Sequence, residues 1–208
     1  NDEESMFSRL DLVKHTLKTF VTCLGEHDMF SIIVYDDRAE VLLPPTLMTA
    51  ARKEDVKQRI DGLHPRGSTN IWAALERAME VVKNANVDPE RYNIGGFLLT
   101  DGQSNMDPPR GIIPTLQQRL ATSPISFAIN TFGYGYSIDS PLLINIANMT
   151  HGAYGFIPDA SMVGTVFVNA LANLLSAGAV QTELHLNGLE GAGYEVAMPR
   201  VARSMIDA

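Results

Sequence analysis

The chain has 208 residues, of which 45% are hydrophobic and 19% are charged. These values are ordinary for a globular protein and fit one α/β domain that buries a full core without disulfides. The net charge of −8 disfavours nucleic acid and anionic membranes as partners, because phosphate binding needs a basic surface. It is compatible with cation binding or basic partners. No apolar run has the length that a membrane-spanning helix needs, so we expect no membrane span.

The first predicted element is a helix. The segment Asn1–Ser8 is polar and acidic and is interpreted as a loop. Apolar residues at helical spacing then predict a helix over Leu10–Leu24, which Gly25 ends. Cys23 is the only cysteine, so no internal disulfide can form. Because it lies in an apolar helical stretch, we expect its thiol to be buried and inert.

A pair of strands follows the helix. Met29–Tyr35 and Ala39–Leu43 are rich in β-branched and apolar residues, and only a short acidic turn separates them. They are predicted to pair antiparallel, with Pro44 and Pro45 ending the second strand.

The rest of the chain alternates between helices and strands. The predicted helices are one that Thr49 caps and that ends near Leu63, then Ile71–Asn84, Ile113–Leu120, Ser140–Met149 and Met162–Leu175. The predicted strands are Asn93–Thr100, Ile125–Phe132 and Ala153–Ile157. This alternation predicts an α/β fold with a doubly wound, mostly parallel sheet, one antiparallel edge strand and helices on both faces.

Two further expectations concern the ends of the domain. A doubly wound sheet normally opens with a central strand, whereas this chain opens with a helix, so we expect the first central strand to lie upstream of Asn1. Beyond Gly178 the pattern changes, and Val180–Leu186 alternates apolar with polar residues. We therefore predict one domain over residues 1–178, followed over 179–208 by a β extension or the start of another domain.

The stretch most informative about function is Ile94–Asn105. Its uninterrupted apolar run ends in Thr100, Asp101 and Gly102, which predicts a strand buried on both faces and followed by a turn. Open α/β sheets bind their ligands at the carboxyl ends of such strands. Asp101 is therefore either a turn residue, stabilised by its side-chain hydrogen bonds, or a carboxylate of a ligand site.

A second candidate precedes the helix that begins at Ile71. Gly67–Asn70 contains Ser, Thr and Asn, which commonly cap helices, so a plain cap is one interpretation. The other is that a hydroxyl here is aimed at a cation or at a partner's carboxylate. Thr69 and Asp101 on adjacent loops would supply two of the oxygen ligands that Mg²⁺ prefers, directly or through water, and further ligands would be required.

Four features together resemble the von Willebrand factor type A domain. They are Leu10–Lys14, Gly67–Ile71, Phe97–Gly102 and the region Phe132–Tyr154 with its two early glycines and its Leu-Leu pair. The resemblance spans roughly residues 10–175 and is most similar to the intracellular branch of plant and fungal proteins that carry RING, U-box or Hint modules. It implies a doubly wound sheet with one antiparallel edge strand, and an intracellular location.

The resemblance also implies a metal-ion-dependent adhesion site. In that family the site takes an Asp-x-Ser-x-Ser loop, a Thr and an Asp, which places Mg²⁺ ligands at Thr69 and Asp101. The Asp-x-Ser-x-Ser loop has no counterpart here, since Asn1 and Glu3 stand where Asp and Ser would be needed.

The resemblance predicts a non-enzymatic module that recognises a protein partner. The partner's Asp or Glu carboxylate would bind the cation at the upper edge of the sheet. The alternative is a scaffold domain of a larger assembly with a vestigial metal site. A hydrolase is not expected, because no nucleophile–base pair is evident in the sequence.

Overall fold

A computed structural model describes residues 8–65, 67–85, 87–88, 92–122, 127–158 and 162–176. The helices in these ranges are α1 (Arg9–Cys23), α2 (Ala50–Asp61), α3 (Ile71–Ala85), α4 (Ile112–Thr122), α5 (Ser140–Met149) and α6 (Val163–Ser176). The strands are β1 (Met29–Tyr35), β2 (Ala39–Leu47), β3 (Gly95–Thr100), β4 (Ala128–Tyr134) and β5 (Tyr154–Ile157). In these ranges no helix combines the length and the apolar character needed to cross a membrane.

The chain divides into two compact units, Asn1–Leu175 and Ser176–Ala208. All the elements described here belong to the first unit, apart from the final residue of α6. The predicted β extension over 179–208 lies outside the described residues, and the domain boundary at 178 stays a prediction.

The strands form two sheets. β1 and β2 pair antiparallel, whereas β3, β4 and β5 form a parallel sheet in that order. The predicted α/β fold, mostly parallel with one antiparallel strand, is therefore confirmed.

Apolar side chains form two buried clusters, one on each face of β3. On one face, Phe20 of α1 packs edge-on against Phe97 of β3 and Phe167 of α6, with ring centroids 5.4 Å and 6.1 Å apart. On the other face, Leu98 packs with apolar residues of α3, α4 and α5. Burial of each such side chain stabilises the fold by roughly 1.5–3 kcal/mol. The alternation of Phe97 and Leu98 confirms that this strand is buried on both faces.

The predicted end of the second strand was wrong. β2 continues through Pro44 and Pro45 to Leu47. Its pairing with β1 shifts register around Ile32, so the prolines fall where the ladder is irregular. β2 also pairs on one side only among the described strands, and an edge strand tolerates residues that lack an amide hydrogen.

The expectation of a buried Cys23 was also wrong, because this thiol is exposed. On the last turn of α1 the buried positions belong to Phe20, Val21 and Leu24, which are 3%, 0% and 7% exposed. Cys23 and its neighbour Thr22 are exposed at the end of the helix, between the buried Val21 and Leu24.

Candidate metal centre

The loops that follow β1 and β3 meet the loop before α3 at one edge of the sheets, called here the upper rim. The backbone N–H of Asn70 donates to the carbonyl of Asp36, just after β1, at 2.8 Å. The backbone N–H of Asn105, in the loop after β3, donates to the carbonyl of Thr69 at 3.0 Å. The loop before α3 is thus tied to the ends of both strands, and β1 and β3 end at the same rim.

Asn70 caps α3. Its side-chain oxygen accepts a hydrogen bond from the N–H of Ala73 at 2.9 Å, and its side-chain amide donates to the carbonyl of Asp37 at 3.0 Å. An N-cap of this kind satisfies one of the free donors at the start of a helix. The plain-cap interpretation therefore applies to Asn70, and the preceding Thr69 lies one position outside the cap.

Asn105 fixes the backbone around Thr69. Its side-chain oxygen accepts from the N–H of Thr69 at 3.2 Å and from the hydroxyl of Ser68 at 3.1 Å. Together with the bond from its own N–H, these contacts hold the two loops against each other. The contact was not evident from the sequence, because Thr69 and Asn105 are 36 residues apart.

The loop at Asp101 runs directly past the Thr69 side chain. A Cβ added at Gly102 would lie 3.2 Å from the Thr69 hydroxyl oxygen, so this glycine leaves room for the hydroxyl. The structure therefore brings Thr69 and the residue next to Asp101 together at the upper rim. The role of either side chain as a metal ligand stays a prediction.

Asp101 is exposed and follows β3 directly. The turn around it is held by Thr100, whose hydroxyl donates to the carbonyl of Gly102 at 3.0 Å and accepts from its N–H at 3.3 Å. Asp101 also acts on the end of β1. Burial raises the pKa of Tyr35 to about 12, and the negative charge of Asp101 contributes a smaller upward effect, partly offset by a hydrogen bond with Thr100.

The residues at the rim fit part of an oxygen-ligand set. A hydroxyl and a carboxylate are hard donors of the type that Mg²⁺ binds, and Mg²⁺ usually retains several waters. In the part of the chain that the structure describes, His, Cys, Asp and Glu form no group of three or more that could hold a metal ion. Thr69 and Asp101 could therefore supply two ligands, with the other positions filled by water or by groups outside the described residues.

Two curated relatives resemble most of the chain. The chain is 27% identical over 184 residues to the uncharacterized protein YfbK of Escherichia coli K12. The aligned region covers 86% of this chain and 31% of YfbK. It is 25% identical over 192 residues to the probable E3 ubiquitin-protein ligase WAVH2 of Arabidopsis thaliana, covering 88% of this chain and 24% of WAVH2. The chain thus spans a third or less of either relative.

Solved structures share the fold. A von Willebrand factor type A protein from Catenulispora acidiphila superposes with a TM-score of 0.70 and 20% identity, covering 80% of this chain and 39% of that one. Proximal thread matrix protein 1 from the mussel byssus, described with a zinc-occupied MIDAS motif, gives a TM-score of 0.58 and 24% identity, covering 77% of this chain and 39% of that one.

The family comparison matches residues 4–167 to the von Willebrand factor type A domain, which is most of the chain. The matched region includes the helices and strands that build the upper rim and all three of its loops. The chain therefore belongs to the von Willebrand factor type A domain family.

Proposed function

We propose that this domain recognises a protein partner by binding its Asp or Glu carboxylate through a divalent cation at the upper rim. Domains of this family are commonly protein-interaction modules. The observation that supports the proposal is how near the Thr69 hydroxyl lies to Gly102, the neighbour of Asp101, where an added Cβ would be 3.2 Å from the hydroxyl oxygen. The hydrogen bonds of Asn105 and Asn70 hold the loop that carries Thr69 in a fixed arrangement.

Charge supports the use of a cation. The chain carries a net charge of −8, so an acidic side chain of a partner would be repelled by the protein as a whole. A divalent cation with an exchangeable water position can bind both Asp101 and the partner's carboxylate. The bound ion therefore turns a repulsive contact into an attractive one.

We propose Mg²⁺ as the ion. A hydroxyl and a carboxylate are typical ligands of hard cations, whereas zinc prefers nitrogen and sulfur ligands. A divalent ion in this fold has a precedent in the mussel protein, which is described with zinc in its MIDAS motif and shares the fold of this chain. Thr69 and Asp101 would hold the ion, and the remaining ligands would come from water, from groups outside the described residues and from the partner.

We further propose that the module is not itself an enzyme and that it acts inside the cell. WAVH2 is named as a ligase, but this chain spans 24% of it. The alternative is a scaffold domain with a vestigial metal site. The lack of an Asp-x-Ser-x-Ser counterpart in the sequence favours that alternative, so the experiment must separate the two.

The experiment measures binding of Mn²⁺, a paramagnetic substitute for Mg²⁺, to the full-length protein by water-proton relaxation. We expect Asp101→Ala to weaken Mn²⁺ binding about tenfold or more, as is typical for the loss of a group that supports a metal site. Asp107→Ala is the matched control, because it removes the same charge from the same loop. Its Mn²⁺ affinity should remain close to that of the unchanged protein.

The partner contact is tested with immobilised peptides that contain a single aspartate or, as the control, a single asparagine. Retention of the protein on the aspartate peptide should require Mg²⁺ and should be abolished by EDTA and by Asp101→Ala. Equal Mn²⁺ binding by the Asp101 and Asp107 variants would rule out the metal mechanism and favour the scaffold.

A further inference from the structure

β2 and β5 are both edge strands, since each pairs on one side only among the described strands. Sheet edges are commonly protected against pairing with other chains by charged residues, by prolines or by short length. β2 carries Glu40, Pro44 and Pro45. β5 contains no charged residue and no proline, so its protection comes only from its length of four residues. β5 is therefore the edge that is more open to an added strand.

We propose that β5 binds an extended segment of a partner protein, which joins the parallel sheet as a further strand. The segment places a lysine or arginine side chain beside the ring of Tyr136, in the loop that follows β4. This second contact goes beyond the cation-dependent contact at the upper rim and does not rest on it.

The backbone of β5 provides hydrogen-bonding groups for such a strand. The carbonyl of Ala153, just before β5, accepts from the N–H of Thr131 on β4 at 2.9 Å, so the backbone groups of Ala153 face β4. In a strand the backbone groups of successive residues point alternately to its two sides. Those of Tyr154 and Phe156 therefore point away from β4, toward the position that an added strand would occupy.

Apolar surface next to these groups is accessible to a partner. Phe156 is 40% exposed, and Tyr136 is 85% exposed. Their rings pack edge to face, with centroids 5.6 Å apart and an angle of 63° between the ring planes. A bound segment would cover both rings at the same time as it pairs with β5, and the removal of apolar surface from water favours binding.

The charge pattern around β5 favours a basic partner. The sequence has no lysine or arginine between Arg119 and Arg200. Within the described part of that stretch, Asp139 is the only residue among Asp, Glu, Lys and Arg, and it lies three residues after Tyr136. A partner's cation would thus meet no lysine or arginine from this part of the chain. It would also be attracted by Asp139 and by the net charge of −8.

The ring of Tyr136 gives this cation a specific position. A guanidinium or ammonium group is attracted to the face of an aromatic ring when it lies within about 6 Å of the ring centre. When a strand adds to a sheet edge, backbone hydrogen bonds supply affinity and side-chain contacts supply specificity. Because β5 is only four residues long, the contact at Tyr136 would decide which segments bind.

The test titrates the 208-residue chain, in the presence of EDTA, with a synthetic peptide of alternating valine and threonine that has an arginine at each end. At saturating peptide, exchange of the Tyr154 and Phe156 amide hydrogens should slow about tenfold or more. The amide of Gly155, which points to β4 by alternation, is the internal reference. A peptide with glutamates in place of the arginines should bind more weakly, and one with a methylated backbone should not bind.

Two pairs of variants separate the ring contact from the backbone contact. Tyr136→Ala should weaken binding of the arginine peptide roughly two- to fivefold, as expected for an exposed cation–π contact. Tyr92→Ala, which removes another exposed tyrosine, is the matched control and should leave binding unchanged. Phe156→Pro removes an outward-facing N–H, which an edge strand tolerates, and should abolish binding. Phe156→Thr removes the ring but keeps the N–H and should retain part of the binding.

The proposal is overturned if the arginine peptide leaves the Tyr154 and Phe156 amides unprotected, or if the glutamate peptide binds as tightly. Slow exchange of both amides in the dilute chain without peptide would show that this chain already covers β5, and would also overturn it. Protection that rises with protein concentration, together with a dimer in sedimentation, would identify a second copy as the occupant and overturn the proposal as well. Because EDTA is present throughout, none of these outcomes depends on the cation site.

Discussion

Asn105 organises the upper rim without being a proposed ligand. Its side-chain oxygen accepts from Ser68 and from the backbone of Thr69. We expect Asn105→Ala to lower the free energy of unfolding by about 1 kcal/mol, since each hydrogen bond of this kind contributes about that much or less when exposed. It should also weaken Mn²⁺ binding, because Thr69 is no longer held in place.

Urea unfolding and Mn²⁺ titration measure both effects. Asn148→Ala on the exposed side of α5 is the matched control, and its stability should change by no more than about 0.5 kcal/mol. If Asn105→Ala lowered stability but left the Mn²⁺ affinity unchanged, the hydrogen bonds between Asn105 and Thr69 would have no role in metal binding.

Tyr35 makes stability depend on pH in the alkaline range. Burial raises the pKa of its hydroxyl from 10.0 to about 12 in the folded protein. A raised pKa means that the stabilising contribution is complete below the pKa of the unfolded chain and is lost as the pH rises through that of the folded protein. The free energy of unfolding should therefore fall between pH 10 and pH 12, the two values that bound the shift.

Tyr35→Phe isolates this contribution. At neutral pH the variant should be less stable by about 1 kcal/mol, because the carbonyl of Leu99 loses its donor. Its loss of stability on raising the pH should be smaller than that of the unchanged chain, as measured by urea unfolding at a series of pH values. Equal losses in the two proteins would show that Tyr35 titrates normally.

Gly152 determines how closely α5 can approach β4. A Cβ at this position would overlap the backbone carbonyl of Ile129, which has no freedom to move aside because it belongs to β4. We expect Gly152→Ala to lower the free energy of unfolding by about 3 kcal/mol or more, as severe backbone strain does.

Gly164 in α6 is the matched control, because a Cβ there would meet nothing within 4 Å. Gly164→Ala should stabilise the protein by roughly 0.5–1 kcal/mol through its helix preference. Thermal unfolding of the two variants measures both effects. Similar destabilisation by both substitutions would mean that the close approach at Gly152 carries no special cost.

At the level of elements, the sequence predicted structure well where local signals coincide. α5 begins and ends where expected, at Ser140 and Met149, because the Asp139 side chain caps it and Pro141 occupies its first turn. β2 was predicted too short because its prolines would be excluded from a central strand, and edge position depends on tertiary pairing. The exposure of Cys23 was not predicted, because apolar residues flank it in sequence and only tertiary packing decides which of them are buried.

The sequence predicted only part of the candidate site, because the remaining contacts again depend on tertiary structure. Thr69 and Asp101 were expected together because a hydroxyl at a helix start and a carboxylate at a strand end suit a hard cation, and because the family resemblance places its Thr and Asp at these residues. The structure brings their loops into contact, while the ligand roles remain to be tested. Asn105 was not predicted, because a polar residue in a loop carries no local sign of a partner on a distant loop.

For the molecule as a whole, the two apolar clusters lie on opposite faces of shared strands. Phe97 and Leu98 are adjacent on β3 yet belong to different clusters. Loss of packing on either face of β3 therefore destabilises the strand against which the other cluster packs. Because of this coupling, the elements of the first unit should unfold together in one cooperative transition.

Trp72 reports on this coupling, because it is the only tryptophan and packs against the second cluster. Ile60 is fully buried in the first cluster, and Ile60→Val should lower stability by about 0.5–1.5 kcal/mol. If the faces are coupled, this substitution shifts the Trp72 fluorescence midpoint in urea as far as the circular dichroism midpoint. Ile146→Val in the second cluster is the matched control, and the two losses should add to within about 0.5 kcal/mol. If Ile60→Val left the Trp72 fluorescence midpoint unchanged, the two faces would unfold independently. Only in that case can packing be lost on one side of β3 while the cluster on the other side stays folded.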